Sequence, residues 1–390
     1  MKLIHVFTAP QSAYYFLDGQ LEFMQSNGIE VSVVIPSDQH FNKAFKVKHP
    51  NIRVRHINFS RQISLRNDLS CLFKLIKLFK TEKPNIIHLH TPKASLLGVI
   101  AGKILFKKNI IYQMHGLVLA RGNTVQKGVL YRMEKLTCSL ATQIFAVSKS
   151  LKEFAIENKI CKADKIKVIE NGTINGIDFQ NRFNPQNIIK DKSFESLKDG
   201  RYTVGYVGRL SEEKGIFDYI KVLSKLKEKK IPFTGFIIGP DESEGEFKSF
   251  LAKHNLKIGK DVYCFGEVEK PENIMSYLHV LLLPTKREGF GLVGAEANAL
   301  EIPVVGYDIP GFKDAVLNDK TGLLVDYKNT DLLFDAVYKY YENPMLRTNH
   351  GKAGRVRVKK DFNFENIWQA LLEEYRTLLN EKRIEYKTSY

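Results

Sequence analysis

Two short stretches of this sequence carry residues with chemistry to offer, and each follows an apolar run. The first is Val207-Gly208-Arg209-Leu210-Ser211-Glu212-Glu213-Lys214-Gly215. Arg209 and Lys214 stand five residues apart around a turn, with a helix start beside them. A guanidinium fork and an ammonium point charge at a helix N-terminus suit a diphosphate. The same residues also read as an ordinary exposed helix start, with Ser211 capping and Glu212 and Glu213 complementing the dipole. The second stretch is Leu283-Pro284-Thr285-Lys286-Arg287-Glu288-Gly289-Phe290-Gly291-Leu292-Val293-Gly294-Ala295-Glu296. Its Gly289-x-Gly291-x-x-Gly294 spacing matches the dinucleotide-binding fingerprint, and Asp308, 19 residues after Gly289, stands where a ribose-binding acid would. Two features oppose that reading. Five residues, Pro284 to Glu288, separate the apolar run from the first glycine, whereas the fingerprint turns directly into it. Glu288 also abuts the spot where a pyrophosphate would lie and would repel it, unless its carboxylate meets sugar hydroxyls beside the phosphates.

The scaffold that must position these stretches is legible as repeated strand and helix patterns. Short runs rich in Val and Ile predict strands at 2–7, 31–35, 86–89, 110–112, 144–147 and 166–169 in the first half. In the second half they fall at 203–207, 233–238, 262–265, 280–283, 304–306 and 323–325. Most are four to six residues long and do not alternate, the pattern of parallel strands buried on both faces. Amphipathic stretches between them, such as 64–82, 93–106, 124–140, 214–229, 291–300, 330–342 and 364–380, predict helices. The 390 residues exceed one ordinary core and suit two doubly wound α/β domains. The polar segment 179–200, with Pro185 and a closing Gly200, reads as the linker, dividing the chain into 1–180 and 181–360. Ligands of open α/β sheets bind beyond the carboxyl ends of the strands, so two such domains would face one another across a cleft at those ends.

The G-R-L-x4-K-G run at 208–215 and the pair Glu288 and Glu296 in E-G-F-G-L-V-x-x-E resemble glycosyltransferase family 4, retaining enzymes of the GT-B fold. Ile87-His88-Leu89-His90-Thr91-Pro92-Lys93-Ala94, Met114-His115-Gly116-Leu117, Val147-Ser148-Lys149-Ser150 and Asn175-Gly176-Ile177-Asp178 extend the likeness across nearly the whole chain. They are similar to capsular and glycan-assembly transferases acting on polyprenyl-diphosphate-linked sugars. The resemblance implies a UDP-sugar donor, with an N-acetylated hexose favoured. It implies that Arg209 and Lys214 bind the donor diphosphate, that Glu296 hydrogen-bonds the ribose and that Glu288 contacts the donor sugar. The amides of Phe290, Gly291 and Leu292, in the loop opened by Gly289, would support sugar and phosphate, and Gly208 would begin the diphosphate turn. His115 would reach the donor sugar from the opposing domain, and a helix at about 361–390 would pack back on the first domain. The family's glycine-rich loop after the first strand is replaced by Thr8-Ala9-Pro10-Gln11-Ser12-Ala13-Tyr14-Tyr15. Retention without a carboxylate nucleophile resembles the family's same-face displacement, in which the leaving diphosphate accepts the acceptor's proton. No D-x-D occurs, consistent with two cations in place of a divalent metal and with no cofactor. His88-x-His90 has metal-like spacing but no nearby acidic third ligand, and reads as polar strand-end residues.

Charge is distributed unevenly. Residues 1–180 hold 26 Lys and Arg against 12 Asp and Glu, whereas residues 181–390 hold 33 against 31. A basic half meets something anionic or serves solubility. Lys74, Lys77 and Lys80 share the 64–82 helix with Leu72, Phe73, Leu75, Ile76, Leu78 and Phe79; the loops around Lys43, Lys46, Lys48, Arg53 and Arg55, together with Lys103, Lys107 and Lys108, add further charge. Such an array suits an anionic membrane surface; the plainer account turns the apolar residues to the sheet and the lysines to water. No apolar run approaches the ~18 residues of a spanning helix, and Met1–Phe7 reads as a strand and not a signal peptide. Four scattered cysteines without C-x-x-C fit a reducing compartment. The expected location is therefore cytoplasmic, at the inner face of the cell membrane. A nucleotide-sugar epimerase of the same shape needs no acceptor. A nicotinamide-dependent oxidoreductase explains only 289–308, and a nucleic-acid-binding module explains only the charge and lacks a recognisable signature.

Overall fold

The computed structural model describes residues 1–60, 64–117, 124–189 and 191–387. The chain forms two units, Met1–Gly176 with Phe364–Tyr390, and Ile177–Asn363.

The first unit is built on seven parallel strands: β1 (Lys2–Val6), β2 (Glu30–Ile35), β3 (Arg53–His56), β4 (Ile86–His90), β5 (Ile110–Met114), β6 (Gln143–Ala146) and β7 (Ile166–Val168). Their order is β3-β2-β1-β4-β5-β6-β7. The apolar runs became strands because β4, β5 and β6 are buried at every position, as a parallel sheet covered on both faces requires. Arg53-Val54-Arg55-His56, expected as charged loop, is the edge strand β3. None of its four positions is buried, so this edge strand lacks the apolar run of the central ones. Lys43, Lys46 and Lys48 lie on helix Gln39–Lys48 and not in a loop. The turn after β1 leads at once into helix Pro10–Phe16, with Pro10 at its first position.

Helix Phe364–Lys387 completes this unit's core. Ile367, Leu371, Leu372, Tyr375 and Leu378 are buried with Leu3, Leu21, Met24, Val31 and Val33 of the sheet and its early helices. Residues 388–390 of the expected terminal helix lie outside the described residues. Asn175 braces this helix: its Oδ1 accepts from Trp368 Nε1 (2.7 Å) and Gln20 Nε2 (3.1 Å), while its Nδ2 donates to Asp18 C=O (2.7 Å). Gly176 has φ +73°, and a Cβ there would come within 2.3 Å of Phe364 Cα, so the sequence needs glycine at this approach.

The second unit has six parallel strands: β8 (Tyr202–Val207), β9 (Phe233–Ile238), β10 (Val262–Gly266), β11 (Val280–Leu283), β12 (Val304–Tyr307) and β13 (Gly322–Val325). Their order is β10-β9-β8-β11-β12-β13. Segment 179–200, read from sequence as the linker, belongs inside this unit, because the chain crosses between units at 176/177 and 363/364. Its polarity reflects turns and the surface helix Lys192–Lys198; Lys190 lies outside the described residues. The residues that enter and leave the unit are paired, with Ile177 N–H donating to Phe362 C=O (2.8 Å).

In both sheets the winding direction reverses once. The reversal lies between β1 and β4 in the first unit and between β8 and β11 in the second. Loops leaving the two strands at such a point diverge and open a crevice at the carboxyl edge, the usual ligand position in doubly wound folds.

Candidate functional site

The two motif stretches leave the two strands at the second unit's switch point. Gly208–Gly215 follows β8 and Pro284–Gly291 follows β11. Sheet order alone therefore brings together loops that are more than 70 residues apart in sequence. Lys286 N–H donates to Glu213 C=O (2.9 Å), tying the loops through backbone. Gly215, at φ +80°, begins helix Ile216–Glu228, and a Cβ there would sit 1.9 Å from Pro284 C=O. Any larger residue would push the loops apart.

Three ion pairs cross the same seam. Lys214 Nζ meets Glu288 Oε1 at 2.6 Å, Arg287 meets Glu213 at 2.8 Å and Lys286 meets Glu212 at 2.7 Å. Lys214 and Glu288 are 24% and 19% exposed, so their pair is partly shielded from solvent. Arg209 Nη1 meets Glu242 Oε2 at 2.5 Å, with both side chains about two-fifths exposed. Glu212 and Glu213, which could have served only a helix dipole, instead anchor cations of the opposite loop. The structure thus joins Lys214 directly to Glu288 and leaves Arg209 at the rim with an acidic partner of its own.

Beyond the loop, helix Leu292–Ala299 begins at Gly291 with φ +87°, with no side-chain cap and no acid in its first turn. Its leading amides are therefore available to an anion or a sugar oxygen. A Cβ at Gly291 would lie 2.5 Å from the Phe312 ring, which explains glycine there. Phe290 is buried and packs edge-on against Phe362 (5.0 Å), so only its backbone can serve a ligand. Leu292 is half-buried at the helix start. Gly208, with φ +151°, donates its N–H to Ile238 C=O (2.9 Å) and turns the chain out of β8.

Glu296 sits one turn into the same helix, where burial pushes its carboxyl up to about 7, Glu272 adds to the rise and Arg182 opposes it. Arg182 and Glu272 form a two-pronged pair (3.0 and 3.1 Å) with Glu272 4% exposed. Sequence reasoning missed both residues. Arg182 lay in the segment read as linker, Glu272 belongs to a five-residue helix, and no local spacing connects residues 90 positions apart.

Asp308 is exposed beyond β12, and the eight residues Pro284–Gly291 between β11 and the helix are not the direct strand-to-glycine turn of a nicotinamide fingerprint.

In the first unit, His115 follows β5 at the carboxyl edge, half-buried and stacked on Phe16 (5.0 Å). His90 closes β4 and His88 lies two residues inside it, and both are 1% exposed, beside His5 of β1 at 0%. The third metal-competent side chain is thus a histidine contributed by a neighbouring strand, invisible to a search for a nearby acid. His5, His88 and His90 have ligand atoms within 4.8 Å of one another. Five of their six ring nitrogens are already engaged in hydrogen bonds, however.

The first unit, including its terminal helix, carries nearly all the excess positive charge of the chain. Helix Leu65–Glu82 buries only Cys71, Leu75 and Phe79. Leu65, Leu69 and Phe73, also four residues apart, are 78%, 53% and 66% exposed, flanked by exposed Arg66, Lys74, Lys77 and Lys80. The apolar residues of this helix do not all face the sheet. Among the described residues, no helix is long and apolar enough to cross a membrane.

Comparison with known proteins agrees across the chain. Residues 18–174 match the model for Glycosyltransferase Family 4 and residues 187–357 that for Glycosyl transferases group 1. The chain is 33% identical to the capsular polysaccharide biosynthesis glycosyltransferase CapM of Staphylococcus aureus, over 97% of this chain and 98% of that protein. It is 27% identical to an Escherichia coli UDP-Gal:alpha-D-GlcNAc-diphosphoundecaprenol alpha-1,3-galactosyltransferase, over 78% of each. The fold matches that of HepE from Anabaena in complex with UDP and glucose, with a TM-score of 0.79 at 18% identity over 97% of this chain and 100% of that one.

Proposed function

This chain belongs to the glycosyltransferases, family 4 in its first half and group 1 in its second, and on that premise we propose that it is a retaining hexosyltransferase of capsule or related glycan assembly. It moves a sugar, an N-acetylated hexose, from a UDP-sugar to a polyprenyl-diphosphate-linked saccharide. The observation that carries this reading is the β8/β11 seam, where Lys214, Glu288 and an uncapped helix start converge, with Arg209 at the rim.

In this reading Arg209 and Lys214 hold the donor diphosphate, Lys214 exchanging part of its contact with Glu288 for phosphate. Glu296 accepts hydrogen bonds from the ribose hydroxyls. Glu288 meets the donor sugar, the amides of Phe290, Gly291 and Leu292 support sugar and phosphate, and His115 is assigned to the donor sugar as well. The bond from the anomeric carbon to the phosphate oxygen breaks while the acceptor hydroxyl forms the new bond on the same face. The acceptor's proton passes to the departing phosphate oxygen, so no protein base is needed. The chain's contribution is positioning and stabilisation of the negative charge that grows on the leaving group, with cations in place of a divalent metal. The acceptor's diphosphate and lipid favour work at the inner face of the cell membrane. The basic first unit and the exposed Leu65, Leu69 and Phe73 stripe support that placement.

The test is a panel of nucleotide sugars incubated with a polyprenyl-diphosphate-linked sugar, with products read by mass spectrometry. The lipid product should gain one hexose mass, with one UDP-sugar preferred. Donor conversion that proceeds equally without lipid, yielding an isomeric nucleotide sugar, would replace this reading with the epimerase.

A further inference from the structure

Four histidines meet at the carboxyl edge of the first sheet: His5 from β1, His88 and His90 from β4, and His115 after β5. Strands buried on both faces are normally apolar, and an unpartnered polar group there is destabilising. The hydrogen bonds that retain these rings separate into two chains, and each chain fixes where its protons must be.

The first chain is fully determined. Gln113 Nε2 donates to Phe145 C=O (3.0 Å), so Gln113 Oε1 is the atom facing His88 Nε2 (3.2 Å). His88 therefore carries its proton on Nε2, and its Nδ1 accepts from Tyr375 O–H (2.6 Å).

The second chain runs from His5 Nδ1 to His90 Nε2 (2.9 Å) and from His90 Nδ1 to His115 Nε2 (3.1 Å). Its far end, His5 Nε2, is buried without a partner. Desolvation holds buried His5 and half-buried His115 at about 3 and keeps His90 well below its ordinary value, so each ring is neutral and owns one N–H. If the protons pointed toward His5, its N–H would be an orphaned buried donor, the rarest kind of unsatisfied group. If they point toward His115, the orphan is only a lone pair. The second arrangement makes His115 an acceptor at Nε2 and places its proton on Nδ1. Stacking of His90 on Phe7 (4.1 Å, 7° between planes) and of His115 on Phe16 holds both rings in their planes.

We propose that His90, backed by His5, is a positioning residue that locks His115 as the Nδ1–H tautomer, so that His115 meets the donor sugar as a hydrogen-bond donor to an oxygen and never as a base. The inference rests on the donor-sugar role of His115 proposed above. It gives a reason for two buried imidazoles, His5 and His90, that contact no substrate in that scheme.

Long-range proton–nitrogen NMR of protein labelled with nitrogen-15 histidine tests the relay on the free wild-type protein, independently of turnover. His115, assigned by its loss in His115→Gln, should show a protonated Nδ1 and an unprotonated Nε2. His90→Phe, which preserves an aromatic ring to stack on Phe7, should return His115 to a mixture containing Nε2–H. It should also lower kcat by about 10-fold, one misdirected hydrogen bond, with calorimetric UDP affinity unchanged. An Nε2–H tautomer of His115 in the wild type would overturn the proposal, as would an unchanged tautomer and kcat in His90→Phe. Stoichiometric Zn²⁺ that shifts the His5, His88 and His90 resonances together would overturn it in favour of a metal site. If the tautomer is Nδ1–H and no sugar transfer is found, the relay stands and the transferase assignment fails.

Discussion

Glu296 offers a test in which the sign and the size both come from its surroundings. Desolvation on its half-buried helix face, with Glu272 nearby, pushes its carboxyl up to about 7, so most molecules hold the proton at pH 6 and most have lost it at pH 8. Ribose hydroxyls donate to the ionised form, so UDP binding should select it and expel a proton. The affinity for UDP should therefore rise about tenfold between pH 6 and pH 8 through this group alone. The diphosphate has its own titration, and Glu296→Gln cancels it: the ratio of wild-type to variant affinity isolates the carboxyl. Isothermal titration at pH 7 in two buffers of different ionisation enthalpy should show about half a proton released per wild-type site and less for the variant. Stability should run the opposite way. The folded carboxyl keeps its proton to about 7, while the unfolded chain releases it near 4.5. The folded state thus binds more protons between those values, and wild type loses stability relative to Glu296→Gln as pH rises through that window. Equal pH slopes for wild type and variant, in both binding and Tm, would refute the assignment of this carboxyl to the ribose and to a desolvated site.

Glu288→Gln should lower kcat by at least about 10²-fold, because it removes charge beside the reacting sugar. It also frees Lys214 from a 2.6 Å ion pair, so calorimetric UDP affinity should hold or tighten; an unchanged kcat would remove Glu288 from the chemistry. Turnover should survive excess EDTA, since Arg209 and Lys214 are assigned the role of a metal; loss of activity restored by Mg²⁺ or Mn²⁺ would overturn that assignment. The protein should co-sediment with vesicles rich in anionic lipid and be released by high salt, which screens surface charge over a few ångströms. Leu69→Ser combined with Phe73→Ser should weaken this binding about tenfold or more, given the apolar area withdrawn, without changing Tm by more than a degree or two. Equal binding to neutral vesicles would assign the charge to solubility.

The sequence by itself determined every strand but β3, and the chemistry of individual loops. Runs such as Val280–Leu283 and Phe233–Ile238 are continuous and apolar because both faces of a central parallel strand are buried, so they are legible without neighbours. Gly208-Arg209-Leu210 through Gly215 and Glu288 through Glu296 were likewise readable, because strand-to-helix turns need glycine and local charge at fixed spacing. The edge strand Arg53–His56 was not readable, since its position and not its composition makes it a strand. Strand order also lies outside any local pattern. Only the placement of β11 beside β8 brought Lys214 to Glu288 and Glu213 to Arg287. Only packing around the helix of Glu296 brought it near Arg182 and Glu272. His5 and His90 are 85 residues apart and meet because β1 and β4 pair in register. Periodicity reports which face of an element is buried; it carries no information about which other element buries it, and in this protein that second choice builds the site.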